Sequence, residues 1–240
     1  MGNSLMSYLN SRLQEEKSFQ KGHVGAAGPV ITISREVGCN GLKLANLLAL
    51  ELNKQRMLAD WKVLSKEIFY QSARELNLAP EKVLKALNKE DSYTFEQILT
   101  AFGEKHYKSE AKIANTVKEV VRSLAINGFN IIVGRAGHII AADIKNALHI
   151  RLEAPFEYRL KNIMCNNNLS RAEASAFIER VEKERVTFRK AIRAEQSHEV
   201  HFDLMINRAS FSDRQVVELI LFAIDKKQIL ADYKQKIDFF

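Results

Sequence analysis

Three short stretches carry residue types suited to holding phosphate. The first is Gly38-Cys39-Asn40-Gly41-Leu42-Lys43. Closely spaced glycines let the backbone curl until consecutive N–H groups point inward. A helix that follows adds its positive N-terminal end, so a phosphate is held without committing a side chain. The strict phosphate-loop pattern puts a Lys directly after its last glycine, and Leu42 stands there instead. A plain strand-to-helix turn accounts for the same string. The second stretch, Ile131-Ile-Val-Gly134-Arg135-Ala-Gly137-His138, sets Arg135 just past an apolar run. A guanidinium is a planar fork of donors matched to phosphate; a helix cap or surface ion pair is the alternative. In the third, Arg185, Arg189 and Arg193 recur every four residues, with Arg180 nearby. Like charges at that spacing repel by about 0.2–0.5 kcal/mol per pair, a cost an anion lying opposite removes. Neutralisation by Glu179, Glu182, Glu184 and Glu195 on a solvated face is the plainer account. His138 reads as structural, and Cys39 and Cys165 have no partners at metal-ligand spacing.

The elements that must position these residues follow from hydrophobic periodicity. Val30-Ile-Thr-Ile-Ser34 is a β-branched run, and Leu44, Leu47, Leu48 and Leu52 then recur at helical spacing, so the chain opens strand–loop–helix. Further strands are expected at Trp61–Leu64, Phe129–Val133, Ala147–Leu152 and Asp203–Asn207. Between the first and second of these, the pattern from Lys66 to about Asn127 is helical and ends at Asn127-Gly128. A helical piece carries Ile139, Ile140 and Ile144; residues 156–194 are helical with mixed charge, and Ser212-Asp213 caps a closing helix. Strands alternating with helices predict a parallel sheet covered on both faces. Leu5, Leu9 and Leu13 form a helical stripe in an N-terminal extension, residues 1–27, which otherwise reads as a frayed tail.

The 240 residues suffice for one domain with an appendage. At 46% hydrophobic and 27% charged, the chain is of ordinary globular composition, not fibrous or mainly disordered. No apolar run approaches the roughly 18 residues of a membrane span. Two cysteines exclude a disulfide framework. The N-terminus lacks the pattern of a secretory signal or a myristoylation site, so a cytoplasmic location is expected. A net charge of +7 suits an anionic partner. With no basic block or nucleic-acid motif, nucleic acid is not expected as that partner.

Taken in order, these pieces resemble the cytidylate-kinase-like family, a nucleoside monophosphate kinase branch of the P-loop fold. The resemblance runs from about Val30 to about Ile224. It rests on Ile31-Thr-Ile-Ser-Arg-Glu-Val-Gly-Cys-Asn-Gly41 as phosphate loop and Ile132-Val-Gly-Arg135 as acceptor-side motif. Glu182-Lys-Glu-Arg185 with Phe188 matches the lid motif, and Asp203-Leu-Met-Ile-Asn207 precedes the last helix. The resemblance implies an α/β, three-layer P-loop nucleoside-triphosphate hydrolase-like fold spanning residues 28–228. It implies a helical acceptor-binding insertion at 66–115, a lid region at 160–194 and a C-terminal tail at 229–240. It further implies phosphoryl transfer from ATP, with Mg²⁺, to a nucleoside monophosphate, CMP or dCMP by the family's name.

Under that resemblance Gly38, Cys39, Asn40, Gly41 and Leu42 hold the donor's phosphates. Arg135 and Glu182 serve the acceptor side, and Arg185 and Arg189 close over the transferring group. Better-characterised relatives carry a Lys where Gly41 stands, and Lys43 is the candidate substitute. Small-molecule nucleotides are the expected partners, no membrane is, and a homo-oligomer is compatible with the sequence. A nucleotide-binding protein with little or no kinase turnover, a sensor or scaffold, shares every motif and is the alternative.

Overall fold

Short apolar segments line up side by side, and the inner three, Val30–Arg35, Asn130–Val133 and Ala147–Glu153, are buried along most of their length. The computed structural model describes residues 27–55, 58–65, 118, 121–193 and 201–233. Its strands are β1 (Val30–Arg35), β2 (Lys62–Leu64), β3 (Asn130–Val133), β4 (Ala147–Glu153) and β5 (Leu204–Asn207). All pair in parallel, in the order β2-β3-β1-β4-β5. The predicted parallel α/β sheet is therefore present, with β1 at its centre.

The helices are α1 (Gly41–Leu52), α2 (Gly137–Ile140), α3 (Phe156–Asn167), α4 (Arg171–Arg193) and α5 (Asp213–Lys227). Residues 121–127 are also helical. One sheet face buries Ile31, Ile33, Ile131, Leu148 and Ile150 against Leu44 and Leu48 of α1 and Ile220 and Ile224 of α5. At about 25 cal/mol per Å² of apolar surface, this layer supplies most of the folding drive. A smaller cluster of Val37, Leu160, Ile163, Ala174 and Ile178 fastens α3 and α4 to the loop after β1. The single helical stretch expected over 156–194 is broken, because Asn168 turns left-handed at φ 52° and closes α3. Ser212 caps α5 with a reciprocal Gln215 contact, as its side-chain type predicts.

The domain edge expected at residue 228 falls inside packed structure. Ile229, Leu230 and Tyr233 are buried, and the Tyr233 ring meets Phe129 edge-on at 5.7 Å. The expected 66–115 insertion and the extension up to residue 26 lie outside the described residues. Among the described residues no helix is long and apolar enough to cross a membrane.

Chain order and strand order together fix where a ligand is met. From β1 the chain goes to one side of the sheet for β2 and β3, then crosses to the other for β4 and β5. In such sheets the crevice at the carboxyl ends of the strands, at this switch point, is the binding edge. Here that edge is formed by the ends of β1, β3 and β4.

Candidate functional site

Arginines from four elements converge at this edge. A cavity of about 160 Å³ is lined by Arg35 at the end of β1, Arg135 after β3, and Arg185 and Arg189 on α4. Arg151 of β4 stands beside them, in register with Ser34, and its Nη1 donates to Ser34 Oγ at 3.1 Å. Helical spacing explains the α4 contribution: Val181, Glu184, Arg185, Phe188 and Arg189 share one face, and that face lines the cavity.

The electrostatics are those of a site short of negative charge. Burial, then the nearby Arg185, pushes the Arg135 guanidinium down to about 9. Arg35 is pushed well down by burial and by Arg185, Arg135 and Arg151, with Glu182 acting the other way. Arg185 and Arg189 are lowered too, again chiefly by burial. Crowded guanidinium groups are costly until an anion joins them. Such a pocket is suited to a compact, multiply charged anion such as a phosphate or a chain of phosphates.

The backbone at β3's end is shaped to the same purpose. Gly134, Arg135 and Ala136 all have positive φ, at 78°, 55° and 54°. Two of these are non-glycine residues in a region that costs roughly 1–3 kcal/mol each. Gly134 has a second constraint, since a Cβ there would fall 2.0 Å from Arg35 Nη1.

The loop after β1 is tightly braced. Glu36 Oε2 accepts from the Ala154 amide at 3.0 Å and lies 3.3 Å from Arg159 Nε. Gly38 sits under α3, where a Cβ would come 2.6 Å from the Arg159 carbonyl oxygen. Asn162 Nδ2 donates to the Gly38 carbonyl at 2.8 Å, and Asn166 Nδ2 donates to Asn40 Oδ1 at 3.1 Å. Asn40 takes the left-handed conformation, φ 50°, and leads into α1. The amides of Gly41, Leu42 and Lys43 therefore fall in the first turn of a helix, where N–H groups have no intrahelical partner. The Val37 amide donates to Glu182 Oε1 at 2.6 Å, so the lid-motif carboxylate rests on the loop. Burial pushes the Cys39 thiol up to about 11, which makes it a packing residue and not a nucleophile.

Of the residues singled out in the sequence, Arg135, Arg185 and Arg189 meet at the cavity, and Glu182 joins them to the loop. Lys43 does not come with them. Its Nζ pairs with Asp213 at 2.7 Å, on the α5 side, and its side chain is 67% exposed; Asp213 is held further by Arg208. Arg180 lies over the Phe177 ring on an exposed part of α4. Arg35 and Arg151 were not anticipated as site residues. Both stand where a buried strand ends in a parallel sheet, and that position was the signal that could have found them.

Among the described residues no group of three or more His, Cys, Asp or Glu gathers to hold a metal. A magnesium ion carried on phosphates needs only one or two protein carboxylates. Glu36 within the loop and Glu182, which accepts the Val37 amide, are carboxylates at the loop.

Comparisons with known proteins agree with this geometry. A crystal structure of an uncharacterized protein from Eubacterium ventriosum matches with a TM-score of 0.58 at 19% identity, covering 82% of this chain and 98% of that one. That likeness shows the fold. Shikimate kinase from Bacteroides thetaiotaomicron aligns over 85% of this chain and 98% of its own, with a TM-score of 0.45 and 11% identity. Among curated sequences, uronate isomerase from Corynebacterium glutamicum is 26% identical over 106 residues, 40% of this chain. The chain spans 19% of that relative's length. The sequence profile of the cytidylate kinase-like family matches residues 30–210, from the first strand to just past the last. With the parallel sheet, the glycine turn after β1 and the arginine pocket all inside that span, the chain belongs to the cytidylate kinase-like family.

Proposed function

We propose that this chain transfers a phosphoryl group from ATP to a nucleoside monophosphate, with CMP or dCMP the acceptor that the family's name suggests. The observation that carries this reading is the convergence of Arg35 from the end of β1, Arg135 after β3, and Arg185 and Arg189 of α4 on one cavity, with the Arg35 stem lying against Gly41 at the start of α1. In phosphoryl transfer the protein contributes mostly position and charge stabilisation, and donors aimed at phosphate oxygens are its main equipment.

The residues divide by where they stand. The turn Gly38–Leu42 would hold the donor's phosphates through backbone N–H groups. Arg135 would hold the acceptor's phosphate, and Arg185 and Arg189 would meet the charge that spreads over the transferring group. Magnesium, arriving on the phosphates, would neutralise charge between donor and loop, with Glu182 a carboxylate resting on that loop. A compact cavity lined by α4 also limits water, the competing acceptor. The test is ATP consumption against a panel of nucleoside monophosphates.

A second reading, nucleotide binding with little turnover, has one observation in its favour: Lys43 is turned to Asp213 and brings no charge to the loop. Calorimetric titration of ATP beside the turnover assay separates the two, since a sensor or scaffold binds without consuming.

A further inference from the structure

The phosphate loop lacks a cation of its own, yet its geometry has been arranged around one. A strict phosphate loop carries Lys directly after its last glycine; here Leu42 takes that position, 41% exposed, and Lys43 is held by Asp213. The side chain that does cross the loop is Arg35. A Cβ built on Gly41 would have as its three nearest neighbours Cγ, Cδ and Cβ of Arg35, at 3.1, 3.3 and 3.5 Å. Gly41 is the first residue of α1 and its φ is not positive, so its backbone makes no demand for glycine. What a side chain there would press on is the stem of Arg35, which would have to give by a few tenths of an ångström. The guanidinium then continues to Gly134, where a Cβ would strike Nη1 at 2.0 Å. Two glycines, one against the stem and one against the guanidinium, thus leave room for one arginine.

We propose that Arg35, reaching from the end of β1 across the first residue of α1, is the cation of this phosphate loop and binds the terminal phosphates of the donor. This rests on the reading that the loop holds ATP. The stem of Arg35 fills the space that a side chain at position 41 would enter, so a cation is supplied from the strand or from the helix but not from both. Arg185 steadies the arrangement from the lid, its Nη1 donating to the Arg35 carbonyl at 3.0 Å. The guanidinium faces Arg185, Arg135 and Arg151, with Glu182 acting the other way, and Glu184 also lines the cavity. A donor triphosphate supplies the missing negative charge.

The test is the affinity of the full chain for ATP and for inorganic pyrophosphate, in wild type, Arg35→Ala, Gly41→Lys and the double variant. Removing one charge-assisted contact from a buried site should weaken both ligands about 10- to 100-fold in Arg35→Ala. Gly41→Lys alone should also be weak, because its stem collides with Arg35. Combined, the two changes move the cation to the helix side of a vacated space and should recover most of the affinity, a coupling that a merely structural role does not produce. Arg35→Lys, which keeps the charge on a slimmer side chain, should stay within a few-fold of wild type, and decides the matter with the double variant if Arg35→Ala does not fold. A folded Arg35→Ala that binds like wild type, or folded Arg35→Lys and double variants that both fail to bind, overturns the role of Arg35 alone. Wild type that binds neither ligand overturns the proposed function together with it.

Discussion

The Glu182 carboxylate accepts the Val37 amide at 2.6 Å, joining two residues 145 positions apart in the chain. The same Oε1 lies 3.9 Å from Arg185 Nη1 and 4.0 Å from Arg159 Nη1. A carboxylate held by a loop amide and flanked by guanidinium groups occupies the surroundings a phosphate oxygen would choose. Helix α4 and the loop after β1 are thereby fastened by an internal anion.

An internal anion competes with an external one. Glu182→Gln keeps an oxygen for the Val37 amide but removes the charge that offsets Arg35 and Arg185. The expected result is a lower melting temperature without added anions, restored by millimolar phosphate or sulfate, and tighter phosphate binding by several-fold. Thermal melts with an anion titration check this. An unchanged anion dependence contradicts the competition.

Arg135 has a different expected signature. It lies in a left-handed segment after β3, next to Gly134, which abuts the Arg35 guanidinium. Arg135→Ala should raise the acceptor's KM by about 10- to 100-fold, the worth of one or two hydrogen bonds to a charged group. The KM for ATP should stay nearly unchanged. Steady-state kinetics with each substrate varied in turn is the measurement, and equal losses for both would assign Arg135 to the fold or the donor.

For Arg185 the loss should fall on kcat. Contacts that strengthen only as charge develops in transfer affect rate more than ground-state binding. By analogy with arginine fingers, Arg185→Ala should lower kcat on the order of 10³-fold. Arg171→Ala is the charge-matched control, because Arg171 is exposed and pairs with Glu157 at the start of α3. Equal effects of the two variants would reduce the α4 stripe to a solvated face.

The sheet's interior predicts an acid-sensitive fold. His149 is buried, its Nδ1 2.8 Å from the Thr32 hydroxyl, and burial pushes its pKa from 6.5 down to about 4, against the pull of Asp203. The unfolded chain binds this proton more readily than the native one, so native stability falls as pH drops from about 6.5 towards about 4. The total is about 3 kcal/mol for this one group, and no further loss from it follows below that range. Denaturant midpoints measured from pH 7 to pH 4 test this. His149→Gln, which does not titrate, should flatten that slope.

Most of the sheet was legible because strand cores such as Val30–Ser34 and Ala147–Leu152 are short, mainly apolar and β-branched segments bounded by turns. Arg135, Arg185 and Arg189 were legible from spacing and from position after a strand. Lys43 was misjudged because one sequence shows no partner at a distance: Asp213, 170 positions away, draws it to α5. Arg35 went unnoticed as a site residue for the converse reason. Its importance lies in the room left for it by Gly41 and Gly134, and an empty space has no sequence letter. The break at Asn168 was hidden because a left-handed asparagine is locally ordinary and only the packing of α3 on α4 makes it necessary.

The central claim is phosphoryl transfer through the arginine pocket. The most direct measurement is magnesium-dependent conversion of ATP to ADP by the full chain, supplied in turn with CMP, dCMP, the other nucleoside monophosphates and non-nucleotide phosphate acceptors. The account predicts ADP formed in equal amount with a phosphorylated monophosphate, well above the rate without acceptor, and slowed on the order of 10³-fold in Arg185→Ala. ATP that binds while no nucleoside monophosphate is ever phosphorylated would contradict it.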